Sequence, residues 1–356
     1  MSESAPPNTY SSWVLCAPGA GDQRQLKTLA GALGGEVRPI KEIDSVGAVL
    51  RDRLSGAARR PFGGAKALRY VSPWPDLILI AGGRSVIDAR RIRAASGGRS
   101  KIVAIGRPWA AYGPLNLIVT TPQYRLPPAD NVIEIPLPLN APPEVSDSAR
   151  QRLKDALPRS GAPTVGVLLG GDSGSFRFGS RAIEEIAARL TGFVQSTGAR
   201  LVACSSPRTP HGALDALEST LGGRATLFPP AANAANPYPA VLADCDALAV
   251  TGDSASMLAE ACLSGKPVAV LPLNPRRRSR AARAVGGLLP GSARTALTRY
   301  GLWLPSRDLP RLHAVAESHG WVRPLDRLLD GPVENPPTLE SLLAPVRSRI
   351  ENLLHD

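Results

Sequence analysis

Short apolar runs that stop at Gly, Ser, Thr or Pro alternate along this chain with longer segments of helical period, the pattern of βαβ units around a parallel sheet. The alternation runs through once and then starts again. In the first half it predicts strands at 13–18, 76–81, 101–105, 116–120 and 132–136. Helices are predicted at 23–33, where Leu26, Leu29, Ala30 and Leu33 share a face, and at 85–95. Pro136, Pro138, Pro142, Pro143 and the polar stretch to Ser148 then interrupt both periods, since proline-rich extended chain continues neither a helix nor a central strand. The pattern resumes with strands at 164–169, 200–205, 225–228, 247–251, 267–271 and 301–304. The helices of this half are predicted at 180–197, 212–221, 254–264, 278–286 and 309–319. A last helix is predicted at 338–354, where Leu339, Leu342, Leu343, Val346, Ile350, Leu353 and Leu354 recur at helical spacing. The expectation is an α/β chain of two doubly wound Rossmann-like domains, 1–158 and 159–356, with the boundary near 158–163. They would enclose an interdomain cleft, and the terminal helix would pack near their junction.

Composition narrows the class. A chain of 356 residues is long enough for two cores, and 43% hydrophobic with 20% charged residues is ordinary globular content. No apolar run approaches the roughly 18 residues that cross a bilayer, and the opening MSESAPPNTYSS has neither a basic nor an apolar signal region, so a cytoplasmic protein is expected. Cys16, Cys204, Cys245 and Cys262 lie far apart in or beside apolar runs and read as reduced core residues. His211, His313, His319 and His355 lack ligand spacing, so no metal site is expected. The net charge of +12 draws anions: nucleotide phosphates, lipid headgroups or nucleic acid. Nucleic acid is set aside, because aromatics are only 4% and no basic run is interleaved with them. Peripheral contact with an anionic inner-membrane surface stays open.

In open parallel sheets ligands bind beyond the carboxyl ends of the strands, so the loops after strands are where chemistry is sought. The first loop is Gly170, Gly171, Asp172, Ser173, Gly174 and Ser175. Its glycines let backbone approach a ligand, and successive N–H groups there could cradle phosphate, although a plain turn explains such a sequence equally well. The second runs from Thr251 through Gly252, Asp253, Ser254, Ser256 and Met257 to Glu260. Ser254 is a fitting N-cap that would aim a helix dipole at an anion. Glu260, six residues on, lies too far along for a capping box; it is either a solvated carboxylate or an acceptor for ribose hydroxyls. The third holds Arg208 and Thr209, suited to a diphosphate but by themselves more often an exposed turn. Gly19 and Gly21 in the first βα turn lack the spacing of a dinucleotide fingerprint. Arg276, Arg277, Arg278, Arg280 and Arg283 place five arginines within eight positions, by default a solvated face and in the minority reading a contact for anionic headgroups.

Taken together, Val250 to Met257, Glu260-Ala261, Gly265 to Val268, Ser206 to Pro210, Asn236-Pro237-Tyr238, Gly170 to Ser173, and Gly21-Asp22 with Gln25 before Leu29-Ala30 resemble a known family. It is the family named for the plant "elongated mitochondria" fission factor and its bacterial relatives, and the likeness spans roughly 13–268. That family in turn is similar to GT-B glycosyltransferases, in which a Gly-Gly-Ser loop opens the second domain and a ribose-binding Glu stands five residues before a Gly. Gly170-Gly171 and Glu260 with Gly265 occupy the matching places. The resemblance implies that Gly170, Gly171, Asp172, Ser173, Arg208, Thr209, Thr251, Asp253, Ser254, Ser256, Met257 and Glu260 hold a nucleotide-diphosphate sugar. It also puts Gly21, Gln25 and Arg84 on the acceptor side. Many relatives carry His-Asp where this chain has Gln123-Tyr124, and a second Arg where it has Pro207, which leaves Asp22 as the candidate base.

The implied function is transfer of a sugar from a nucleotide-diphosphate donor to an acceptor, soluble or lipid-linked, with the donor as substrate and no cofactor or metal. A nucleotide-sugar epimerase is the alternative enzyme, because fold does not fix function. A non-catalytic recruiter of membrane-remodelling partners is the alternative the plant relatives imply. Sequence leaves the sugar, the acceptor, the stereochemical outcome and the oligomeric state open.

Overall fold

The computed structural model describes residues 10–16, 19–34, 36–41, 70–82, 85–157, 161–173, 175–230, 235–276 and 287–355. They form two compact units. The first comprises 1–139, 283–306 and 340–356, and the second 140–282 and 307–339.

The first unit is built on a six-stranded parallel sheet of β1 (Ser11–Cys16), β2 (Glu36–Lys41), β3 (Leu77–Ala81), β4 (Lys101–Ile105), β5 (Leu117–Thr120) and β6 (Val132–Glu134), in the order β2-β1-β3-β4-β5-β6. β3 is buried at all five positions and β4 at four, as expected of strands covered on both faces. Ile78, Ile80, Ile102, Ala104 and Ile118 meet Ile92 of α2 (Ser85–Ala95) and Trp13 in one core. α1 (Ala20–Leu33) buries Leu26, Leu29, Ala30 and Leu33, the face its 3.6-residue period marks. Two later helices, α8 (Gly291–Arg299) and α10 (Leu339–His355), also belong to this unit.

The second unit has a five-stranded parallel sheet of β7 (Thr164–Leu169), β8 (Arg200–Ser205), β9 (Ala225–Phe228), β10 (Ala247–Thr251) and β11 (Val268–Leu271), in the order β11-β10-β7-β8-β9. Its helices are α3 (Asp147–Ala156), α4 (Ser180–Thr197), α5 (Ala213–Leu221), α6 (Tyr238–Asp244), α7 (Ala255–Leu263) and α9 (Leu309–Ser318). From its first strand the chain winds outward through β8 to β9, then returns to the other side of β7 for β10 and β11. This is a doubly wound sheet, so the expected α/β class with two Rossmann-like sheets holds.

Three expectations are corrected and one unread strand is added. The first unit closes at Leu139 rather than near 158 and takes back 283–306 and 340–356, so the units are not the contiguous pieces 1–158 and 159–356. The segment after Asn140 that reads as a polar junction contains α3, whose amphipathic pattern is thin: only Ala149 and Leu153 are buried. Positions 301–304 form no strand; Gly301 has φ +71°, and a Cβ there would lie 2.5 Å from the Ala110 carbonyl carbon, so the chain turns tightly against backbone after α8. β2, Glu-Val-Arg-Pro-Ile-Lys, hides behind its charges and Pro39, which an edge strand tolerates. The helix expected at 278–286 lies outside the described residues.

Candidate functional site

β7 and β10 are neighbours in the second sheet, yet the chain leaves them in opposite directions, which makes their carboxyl ends a topological switch point. Three loops meet there. Gly170 N–H donates to Thr251 Oγ1 at 2.8 Å and Gly171 N–H to Asp253 Oδ2 at 2.9 Å. The Thr251 hydroxyl donates to Asp253 Oδ1 at 2.7 Å. From the loop after β8, Arg208 Nη2 reaches Asp253 Oδ2 at 3.4 Å and Nη1 donates to the Asp172 carbonyl at 3.2 Å. Ser206 Oγ donates to the Gly170 carbonyl at 3.0 Å, and the Thr209 hydroxyl donates to the same oxygen.

Asp253 is therefore a latch. Its side chain is fully buried and that of Arg208 is 46% exposed. Burial pushes the Asp253 carboxyl up from the usual carboxylate range, while the Gly171 N–H, the Thr251 hydroxyl and the Arg208 guanidinium pull it back. Both oxygens are spent on the protein itself. The glycines serve the same assembly: a Cβ on Gly170 would lie 2.2 Å from Asp253 Oδ1, and one on Gly171 1.9 Å from the Arg208 carbonyl oxygen. Their immediate reason is loop against loop.

Ser254 caps α7, accepting from Met257 N–H at 3.4 Å, and the first turn of α7 holds no acid to offset its positive end, which follows the end of β10. Glu260, on the same helix, is buried, and Tyr238 Oη donates to its Oε2 at 2.5 Å. This explains the Asn-Pro-Tyr motif, in which sequence assigned Tyr238 no role. Asp172 and Ser173 close the turn into α4: Asp172 Oδ1 accepts from Phe178 N–H at 2.8 Å and Ser173 Oγ from Phe176 N–H at 3.1 Å.

The structure thus brings Gly170, Gly171, Asp172, Arg208, Thr209, Thr251 and Asp253 together, with Ser254, Ser256, Met257 and Glu260 following on α7. In the first unit Asp22 stands in the first turn of α1 beside Gly21, and Gln25 is buried on the same helix. Arg84 and Gly174 lie outside the described residues. His313, on α9, was not singled out from sequence: its Cε1 would be 3.1 Å from a Cβ on Gly252. Burial pulls its pKa down to about 4 against the pull of Asp308, so the imidazole beside the latch is neutral at pH 7. A lone histidine without a motif carries no signal for this placement.

Among the described residues no group of three or more His, Cys, Asp or Glu side chains could hold a metal ion. Cys204, Cys245 and Cys262 are buried free thiols whose pKa burial raises to about 12, well outside the range of reactive thiolates. No described helix is long and apolar enough to cross a membrane.

Comparison with solved structures returns similar folds at low identity. The UDP-GlcNAc 2-epimerase from Methanocaldococcus jannaschii matches with 9% identity over 97% of this chain and 99% of its own, at a TM-score of 0.49. A putative UDP-N-acetylglucosamine 2-epimerase from Listeria monocytogenes matches with 14% identity over 97% of both chains, at 0.47. The ADP-heptose lipopolysaccharide heptosyltransferase II of E. coli matches with 14% identity over 73% of this chain and 84% of its own, at 0.40. No curated protein matches the chain in sequence. The sequence model of one family, described as "Mitochondrial fission ELM1", matches residues 20–322, and the residues it spans include the latch, the capped helix α7 and Tyr238 with Glu260. The chain belongs to the mitochondrial fission ELM1 family.

Proposed function

We propose that the second unit binds a nucleotide-diphosphate sugar at the carboxyl ends of β7 and β10 and that the protein transfers the sugar to an acceptor. The observation that carries this reading is the meeting of the β7, β8 and β10 loops at the switch point, latched by Asp253 beneath the N-terminus of α7. The outward N–H groups of α7, the hydroxyls of Ser254 and Ser256, and the exposed part of Arg208 would receive the diphosphate and stabilise it as it leaves. Asp253, with both oxygens engaged, is a positioning residue. Glu260 would accept from the ribose hydroxyls, sharing its carboxylate with the Tyr238 hydroxyl. Asp22, with Gly21, Gln25 and Arg84 on the acceptor side, would take the proton of the acceptor hydroxyl. A lipid-borne acceptor on an anionic surface suits the net charge of +12.

Thermal unfolding in the presence of nucleoside diphosphates and nucleotide sugars tests the reading, because a ligand of the folded state raises Tm by mass action. At least one nucleoside diphosphate is expected to raise it. Glu260→Gln should reduce that shift for the ribonucleotide and leave it nearly unchanged for its 2′,3′-dideoxy analogue. Absence of a shift with every nucleoside diphosphate would overturn the proposal.

A further inference from the structure

A groove of about 890 Å³ opens between the start of α4 and the segment after β11, lined by Arg177, Ser180, Arg181, Asn274 and Arg276. Three guanidinium groups border it and two carboxylates partly offset them: Arg276 pairs with Asp172 at 3.3 Å, and Arg181 with Glu185 at 2.9 Å. Asn274 Nδ2 donates to the second oxygen of Glu185 at 3.3 Å. Arg177 is exposed and makes no hydrogen bond or ion pair among the described residues. The groove therefore keeps a positive excess, and its cations are not all floppy surface groups. Arg276 is anchored through Nε to the Phe176 carbonyl at 3.0 Å, and its backbone N–H donates to the Ser175 carbonyl at 2.8 Å. Into the same space opens the first turn of α4, an 18-residue helix whose N-cap, Gly179, offers no side-chain cap and whose first turn holds no acid.

Donors thus approach from the β7–α4 turn, from the helix start and from the β11 side. A planar carboxylate presents two oxygens in one plane, whereas a phosphate presents oxygens in three directions, the better match for divergent forks and N–H groups. The groove also lies beside the latch rather than in it. Asp172 stands between them, with its carbonyl on Arg208 and its carboxylate on Arg276.

We propose that this groove is a second anion site that takes a phosphate group, with Arg177, unpaired among the described residues, as a cation that closes on it. It assigns Arg276 to a binding groove rather than to a solvated run, and it does not require the switch point to bind a nucleotide. A soluble phosphate ester and a lipid headgroup share this chemistry, and two probes separate them. In titration calorimetry, inorganic pyrophosphate is expected to bind the full chain and to bind the double variant Arg177→Gln, Arg181→Gln about tenfold more weakly or worse. Both side chains are exposed, so the variant should unfold at the wild-type temperature; Arg177→Glu alone should weaken binding further than Arg177→Gln alone. Phosphatidylcholine vesicles containing phosphatidic acid form the second arm. Sedimentation of the wild type but not the double variant with them assigns the phosphate to a headgroup, and pyrophosphate binding without sedimentation assigns it to a soluble ester. If neither probe binds the wild type, or if either binds the double variant equally well, the proposal is overturned. A nucleoside diphosphate that still raises the Tm of the double variant leaves the switch-point reading standing, so the two readings fail separately.

Discussion

Thr120 and Thr251 each end a strand of a parallel sheet, and each is 1% exposed, yet their hydroxyls meet opposite circumstances. At the end of β10 the Thr251 hydroxyl accepts from Gly170 N–H and donates to Asp253, inside a network that ties three loops together. At the end of β5 the Thr120 hydroxyl is buried with no hydrogen-bond partner among the described residues, and so is the side-chain oxygen of Gln123 three residues on. A buried polar group without a partner costs stability, and native structures keep few of them. The same sheet rule has thus produced two kinds of edge. One is assembled in advance by its own polar groups. The other leaves polar groups unmet among the described residues.

The largest expected effect probes how tightly the assembled edge is built. Gly171→Ala puts a methyl group 1.9 Å from the Arg208 carbonyl oxygen, so the loops must part. A loss of about 3 kcal/mol or more is expected in urea unfolding, through overpacking together with broken hydrogen bonds. Gly113→Ala in the first unit meets nothing within 4 Å and should stay within about 0.5 kcal/mol of wild type. Comparable losses at both positions would show that the Gly171 loop is packed no more tightly than an open turn.

The two threonines give a matched pair of intermediate size. Thr251→Val strands the Gly170 N–H and removes a donor from Asp253, and should cost about 1–3 kcal/mol. Thr120→Val replaces an unmet hydroxyl with a methyl group and should be neutral or stabilising by up to about 1 kcal/mol. Chemical denaturation of both variants decides the matter, and a destabilised Thr120→Val would mean that its hydroxyl has a partner in solution.

The smallest effect concerns pH at the assembled edge. His313 has a folded pKa of about 4, below its unfolded value of 6.5, so the unfolded chain binds the proton more readily. Its contribution is fully present above pH 6.5 and is lost as the pH falls from there towards 4. Stability should drop by about 1–2 kcal/mol between pH 7 and pH 4.5 beyond the change seen in His313→Gln. Identical pH profiles for the two proteins would show that the imidazole titrates as if free.

Much of the architecture was legible along the chain. The bounds of β4, β7, β8, β9 and β10, and of α2 and α4, coincide with those read from periodicity, because each is a clean apolar run or amphipathic stretch bounded by turn residues. Elements went unread where that signal is weak: β2 carries charges and a proline at a sheet edge, α3 buries two side chains, and α6 is only seven residues long and begins beside a proline. The candidate loops could also be named in advance, since parallel sheets bind at strand ends. What each residue does in them could not. Asp253 acts on Gly171 across 82 positions and on Arg208 across 45, and Tyr238 meets Glu260 across 22. Local patterns report the energetics of neighbours along the chain, which set strands, helices and caps. The latch, the arginine groove and the return of the terminal helix to the first unit depend on contacts between distant segments, and these exist only once the sheets have formed.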